Sequence, residues 1–542
     1  MSRTVPALLI ALAVTGCRPG SACIGKCDEA STPATDPSTA PTTPTVPTGP
    51  ATSTSEVPTV SVCDPSDTLS VLDVTPIDGP IATDRALQVR LSEPATVAAL
   101  CTLDAEPGER HLVVSDVSAT DHELRFQGLL PDGAYTCQVA PTCPTMVGTP
   151  ATVTVTAGSA PPLPTLEVEV DPTLGMTGYW TLLTFVNGAC SANGRYIALY
   201  DPMGVARWWY ALPDSLWIDV EALYDPDDHT IVWGGGEGPD GRARIVDLWE
   251  GEQYATAWPG WEDDDFSHDA KRLPDGRLLT LQYEPNSAGG PQFIGFRVRV
   301  HDPDALSIDV DLPSQRYVDE GVLEPGDASP LGNDPYHANW VDLEEQAGED
   351  RLFVSLCFDW SILSLDPATG DVRYRLARDE GWTVLDESGA EIGEDALPQC
   401  THGDEVTGDD TLLVYDNGQG RGYSQIAEWA VDPQTRTAQR LYQWDEPGWH
   451  ETTLGDVDVL AGDRLLVTEA HADCWSPIGV DFSQIVEVDR ATGAVASRMT
   501  FPAQGDTTYR AERYGGCEMM SSVRACPALG ELADALAPAV GW

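Results

Sequence analysis

A short unit returns six times along the chain: an apolar strand that ends on aspartate, a tight turn, and a second strand. It reads Tyr200-Asp201-Pro202-Met203-Gly204, Val246-Asp247-Leu248-Trp249-Glu250 and His301-Asp302-Pro303-Asp304 in its first three copies. It returns as Leu365-Asp366-Pro367-Ala368-Thr369-Gly370, Val431-Asp432-Pro433-Gln434-Thr435 and Val488-Asp489-Arg490-Ala491-Thr492-Gly493. The anchoring aspartates lie 46, 55, 64, 66 and 57 residues apart. A second signal, a turn followed by an apolar run, precedes several of them, as in Asp275-Gly276-Arg277-Leu278-Leu279 and Asp410-Thr411-Leu412-Leu413-Val414. Two hairpins per unit is the pattern of a propeller blade, so the fold class is all-β, with a six-bladed β-propeller over residues 161–542. A series of sandwiches or a solenoid fits less well, because each unit holds four strands and the copies number only six. Helical periodicity is confined to the last dozen residues.

The chain ahead of the repeats changes character twice. Residues 63–160 carry short alternating runs such as Leu87-Gln88-Val89-Arg90-Leu91 and His122-Glu123-Leu124-Arg125-Phe126, separated by turn residues. Such alternation predicts a small antiparallel β-sandwich. Its segment Gly128-Leu129-Leu130-Pro131-Asp132-Gly133-Ala134-Tyr135-Thr136-Cys137 resembles the late-strand corner of fibronectin type III and immunoglobulin-like domains. Residues 17–62 are rich in Thr, Pro and Ser and too poor in apolar side chains to offset their ordering entropy, which predicts an extended tether. Residues 1–16 read as an export signal, with Arg3 ahead of a short apolar run over 5–14. Val14-Thr15-Gly16-Cys17 resembles a bacterial lipobox, which implies lipidation of Cys17 and a cell-envelope location.

Charge and cysteines bound the partners. Thirty Lys plus Arg against 86 Asp plus Glu give a formal net charge of −56, a field that repels nucleic acid. An anionic ligand would need a locally donor-rich pocket. Of 13 cysteines, 12 remain after Cys17, and export to an oxidising compartment predicts disulfides. No phosphate-binding loop, nucleophile elbow or dinucleotide fingerprint is present, and no cofactor or resident metal is called for.

Aligning the units on their turns exposes a register. His268 stands seven residues before Asp275 and His402 eight before Asp410, while Asp456 and Asp219 take the corresponding positions of other units. His337 opens the matching strand in His337-Ala338-Asn339-Trp340. A propeller would gather these positions at one rim of its central channel. Three imidazoles there could bind zinc or copper, or could form an anion site with a nucleophile.

The motifs His268-Asp269, His337-Ala338-Asn339, Gln399-Cys400-Thr401-His402, Val414-Tyr415-Asp416-Asn417-Gly418 and Tyr509-Arg510-Ala511-Glu512-Arg513 resemble those of the bacterial arylsulfate sulfotransferase family. The resemblance implies sulfuryl transfer from an aryl sulfate to a phenol through a sulfohistidine, independent of phosphoadenosine phosphosulfate. It implies His402 as nucleophile, with His268, His337 and Asn339 around the sulfate. Small aryl sulfates and phenols are then the partners, with a membrane contact through the lipid on Cys17; a homodimer is left open. Cys357 stands where the family typically has a sulfate-gripping arginine. Arg421 is the candidate replacement for that charge, and Cys400 the candidate disulfide partner of Cys357. The rival reading is a noncatalytic ligand-binding or scaffold propeller.

Overall fold

The computed structural model describes residues 69–540 apart from 143–149, 187–194, 213–220, 227, 236–241, 256–265, 286–293, 325–333, 347–348, 471–482 and 504–505. The signal segment 1–16, Cys17, the whole tether 17–62 and the start of the next unit therefore lie outside the described residues, as does Asp219. Among the described residues, no helix is long and apolar enough to cross a membrane.

Two antiparallel sheets form the amino-terminal unit. One comprises Val71–Asp78, Arg85–Ala95 and Ala119–Phe126; the other comprises Arg110–Val114, Val97–Leu103, Ala134–Pro141 and Ala151–Thr156. Period-two alternation buries Leu87, Val89 and Leu91 from the first sheet against Val97, Ala99, Tyr135 and Val139 from the second. The Tyr135 hydroxyl accepts a hydrogen bond from the Leu130 amide at 2.8 Å, pinning the turn that the Leu-Pro-Asp-Gly run opens. Cys101 and Cys137 face each other on neighbouring strands and form a disulfide.

Six further sheets follow one another along the chain, antiparallel except where the short edge strand Thr383–Leu385 pairs parallel with Thr437–Trp444. Five of them begin with the strands Glu221–Asp225, Phe266–Arg272, Ala338–Gln346, Thr401–Gly408 and Asp456–Leu460, each leading outward into its own meander. The sixth is completed by the late strand Ala511–Tyr514, which pairs with the early strand Trp180–Val186. These six inner strands touch in cyclic order, with Ala511–Tyr514 lying against both Glu221–Asp225 and Asp456–Leu460. Between each neighbouring pair of sheets lies an apolar layer. One joins Leu281 and Val298 to Val341 and Leu363; another joins Leu183 and Phe185 to Leu466 and Ile485. Because both faces of a sheet are covered, its middle strands are buried without alternation, as in Ser361–Leu365.

The repeated aspartates have one job. Each accepts backbone amides of the turn between the third and fourth strands of its sheet, so a side chain closes the hairpin. Asp366 Oδ1 accepts the amides of Ala368 and Thr369 at 3.0 Å each, and Asp432 Oδ1 those of Gln434 and Thr435 at 2.9 and 3.2 Å. Asp201, Asp247, Asp302 and Asp489 do the same.

After closing the ring the chain returns to the amino-terminal unit. The helix Pro527–Val540 lays Ala533 and Leu536 against Ala98, Leu100 and Leu112. Buried Arg207 reaches across the same contact, pairing with Asp201 at 2.7 Å and with Glu109 at 3.0 Å.

Ring closure has its own ionic latch. Glu487, on the strand Gln484–Asp489, is fully buried; its Oε2 lies 2.9 Å from Arg513 Nη1 on the closing strand, and its Oε1 lies 2.7 Å from Arg464 Nη1. The Thr177 amide also donates to it, at 3.0 Å. Replacing Glu487 by Ala leaves the buried Arg513 guanidinium without its counter-charge, so a stability loss of about 3–5 kcal/mol is expected in equilibrium unfolding. A loss below about 1 kcal/mol would show that closure does not depend on this pair.

Candidate active site

Three inner strands carry the predicted histidines, and the backbone is irregular beside each one. The ladder between the first and second strands shifts register after Phe266, after Ala338 and after His402. The equivalent ladders from Glu221–Asp225 and Asp456–Leu460 run without a shift. A bulge re-aims a side chain, here toward the channel. His268, His337 and Cys400 also hold left-handed backbones, with φ of 55°, 50° and 58°, a strained conformation for residues with a Cβ. Gly403, at φ 49°, follows His402 where a Cβ would collide with Asp456 Oδ1.

The rings converge. His268 and His337 sit edge to face with centroids 4.8 Å apart. Tyr509 lies 6.1 Å from His268 and 6.3 Å from His402. His402 and His268 are 1% and 3% exposed, so substrate contact is confined to the interior of this cluster.

The hydrogen bonds fix which nitrogen of His402 carries its proton. Asn417 Nδ2 donates to the carbonyls of Glu451 and Leu454 at 3.0 and 2.9 Å. That orientation turns Asn417 Oδ1, which can only accept, toward His402 Nδ1 at 2.6 Å. Nδ1 therefore donates, and Nε2 keeps the lone pair. Burial is the largest influence on this imidazole and drives its pKa down to about 3, aided by the charges of His337 and Arg510 and opposed by the bond to Asn417. The ring is neutral at physiological pH, with a free lone pair on Nε2. His268 is likewise held well below the ordinary range, first by burial and then by His337, His402 and Arg510.

The other two imidazoles are also anchored through Nδ1. Asp334 Oδ2 accepts from His337 Nδ1 at 2.7 Å, while Asp334 Oδ1 accepts the His337 amide. Ser267 Oγ lies 2.8 Å from His268 Nδ1 and donates its single hydrogen to the Ala338 carbonyl, which leaves Oγ to accept from the ring.

Asn339 stands in the bulge of its strand and is fully buried, and neither atom of its amide has a hydrogen-bond partner among the described residues. A buried amide in that state costs about 1–3 kcal/mol, a cost that a bound polar group would remove. Its own carbonyl accepts from Arg510 Nη2 at 2.8 Å. Arg510 is 2% exposed, packs over the Tyr509 ring at 4.9 Å, and lies 3.6 Å from Asp269 and 4.0 Å from Asp456.

Cys357 forms a disulfide with Cys400, the partner expected from the sequence. Arg421 is tied to buried Asp416 at 2.7 Å and rests 5.1 Å from the Tyr423 ring centroid. The cation that bears on His268 and His402 is Arg510, to which the sequence reading gave no role. Two groups of potential metal-ligand atoms fall within 4.8 Å of one another among the described residues: Cys357 with Cys400 and His402, and Asp456 with Asp458 and Glu512. The first is occupied by the disulfide, and the three imidazoles do not form such a group.

Residues 308–510 match the family model described as Arylsulfotransferase (ASST). Over that segment the chain is similar to the arylsulfotransferase family. The matched segment contains His337, Asn339, His402, Asn417 and Arg421 and ends on Arg510, whereas His268 precedes it. No curated protein matches the chain. Similar solved structures include the nidogen/laminin complex, 11% identical over 61% of this chain and 97% of that one, with a TM-score of 0.35. Kuenenia stuttgartiensis hydrazine synthase is 13% identical over 51% of this chain and 64% of its own, with a TM-score of 0.30. A Myceliophteria thermophila β-propeller domain is 11% identical over 52% and 85%, with a TM-score of 0.28. All three scores are too low to transfer a fold or an activity.

The tautomer of His402 is directly observable. Nitrogen-15 NMR should show a pyrrole-like Nδ1 and a pyridine-like Nε2 that persist unchanged down to pH 5. Titration near 6.5, or the opposite tautomer, would contradict the assigned network. Because the unfolded ring titrates near 6.5 and the folded one near 3, this group's contribution to stability is present above pH 6.5 and fades as pH falls toward 3.

Proposed function

We propose that the protein transfers sulfuryl groups from aryl sulfates to phenolic acceptors through a sulfohistidine on His402, without phosphoadenosine phosphosulfate. The observation that carries this reading is the buried, neutral His402 imidazole with Nε2 deprotonated. It sits in one cluster with Tyr509, His268 and His337.

In the first half-reaction Nε2 attacks sulfur in line as the aryl oxygen–sulfur bond breaks, and the departing phenolate takes a proton. In the second, an acceptor phenol loses its proton, its oxygen attacks the same sulfur, and the nitrogen–sulfur bond breaks. Sulfuryl transfer, like phosphoryl transfer, develops little covalent demand on the protein, so placement and fixed donors dominate. The Asn339 amide and the Arg510 guanidinium are the donors suited to the equatorial oxygens, each worth about 3 kcal/mol in the transition state. Arg510 would supply the charge whose expected position is taken by Cys357. Asp334 orients His337 and would stabilise its protonated form, which suits it to protonate the leaving phenolate.

The same reading takes the six sheets as the blades of a six-bladed propeller and the amino-terminal unit as a fibronectin-like domain. It takes Cys17 as the lipid-bearing residue that holds both at the cell envelope. The cyclic order of the inner strands and the Tyr135 corner support the first two.

A chromogenic aryl sulfate with a phenol acceptor tests the activity. Wild-type protein should release the chromogenic phenol, His402→Asn should release none, and Asn339→Ala should lose about 100-fold in kcat. No release by the wild type, or undiminished release by His402→Asn, would refute the proposal and favour a binding propeller without turnover.

A further inference from the structure

A chamber of about 320 Å³ is lined in part by Arg510, and none of its lining residues is a histidine. Its wall includes Asp404, Glu405, Asp456, Asp458 and Glu512, drawn from three adjacent inner strands. The neighbouring cations do not balance them. Lys271 is engaged by Asp342 at 3.2 Å and by the Trp340 ring at 5.4 Å, and Arg272 is paired outward with Asp225 and Asp228. Arg510 is shared between Asp269 at 3.6 Å and Asp456 Oδ1 at 4.0 Å.

Two carboxylates in this wall have an oxygen with nothing to bind. Asp404 and Asp456 are each 4% exposed, and Asp404 Oδ1 and Asp456 Oδ2 have no hydrogen-bond partner among the described residues. Buried carboxylate oxygens without donors persist only if they take up protons or hold a cation. Asp456, Asp458 and Glu512 bring one oxygen each to within 4.8 Å of the others. That is the span of oxygens around a hard divalent ion, which takes six or more oxygen ligands at about 2.3–2.6 Å when it is calcium.

We propose that this chamber is a binding site for a hard divalent cation of the calcium class, liganded by Asp456, Asp458 and Glu512, with Asp404 and Glu405 close by. The placement assigns a task as well. Asp456 and Asp458 belong to the inner strand of the last sheet and Glu512 to the strand that completes the first, so a bound ion clips the ring at its closure. This site is separate from the histidine cluster and does not depend on the sulfuryl-transfer reading.

The full chain, purified without a histidine tag and stripped with chelator, is the material for the test. Terbium should bind saturably with luminescence sensitised by Trp340, and calcium should displace it. Added calcium should raise Tm by several degrees, and chelator should reverse the shift. The double variant Asp458→Asn, Glu512→Gln should lose at least tenfold in terbium affinity together with the calcium response. Absence of saturable terbium binding in the wild type overturns the proposal, as does full binding by the double variant. If the double variant does not fold, the wild-type terbium titration and its reversal by calcium decide alone.

Discussion

The pairing of Ala511–Tyr514 with Trp180–Val186 joins the end of the repeat to its beginning, and the centre of the molecule is built from it. A ring of sheets left open would expose the edge of its first sheet and separate the first and last apolar layers. The same short stretch of chain provides Tyr509 against two of the histidines, Arg510 beneath Asn339, Glu512 in the acidic chamber and Arg513 on Glu487. Closure and the assembly of the site are thus one event. The Glu487 latch, buried on both partners, gives that event a large local consequence.

Electrostatics explains how so acidic a chain can present a site to an anion. Arg510 is the buried cation shared by the histidine cluster and the acidic chamber. Toward the histidines it adds to the burial that depresses the pKa values of His268 and His402 and keeps those imidazoles neutral. Toward the acidic chamber it partly offsets the raised pKa values of Asp456 and Glu512.

The features legible in the sequence are those with a local cause. The six aspartates mark hairpins because a carboxylate two residues from an amide closes a turn, and those turns are found where the motif stands. His268, His337 and His402 share a register because the repeat fixes where each inner strand starts; the rings of His268 and His337 meet, and Tyr509 lies between His268 and His402. The Cys357–Cys400 pair was also within reach. Arg510 was not, since its motif only marked the closing strand and nothing local says that a last strand delivers its arginine to the centre. Asn417 escaped for a similar reason: its amide acts through the carbonyls of Glu451 and Leu454, more than thirty residues away. The bulges left no signal beyond Gly403, because they depend on how each inner strand meets its partner.

The central claim is chemical: a buried imidazole carries the transferred group on Nε2. Brief incubation with a sulfur-35 aryl sulfate, followed by alkaline proteolysis and mass mapping, measures this directly. The account predicts one labelled peptide, containing His402, whose label is discharged when a phenol is added. Label on another residue, or release of the chromogenic phenol with no labelled protein at any time, would contradict it.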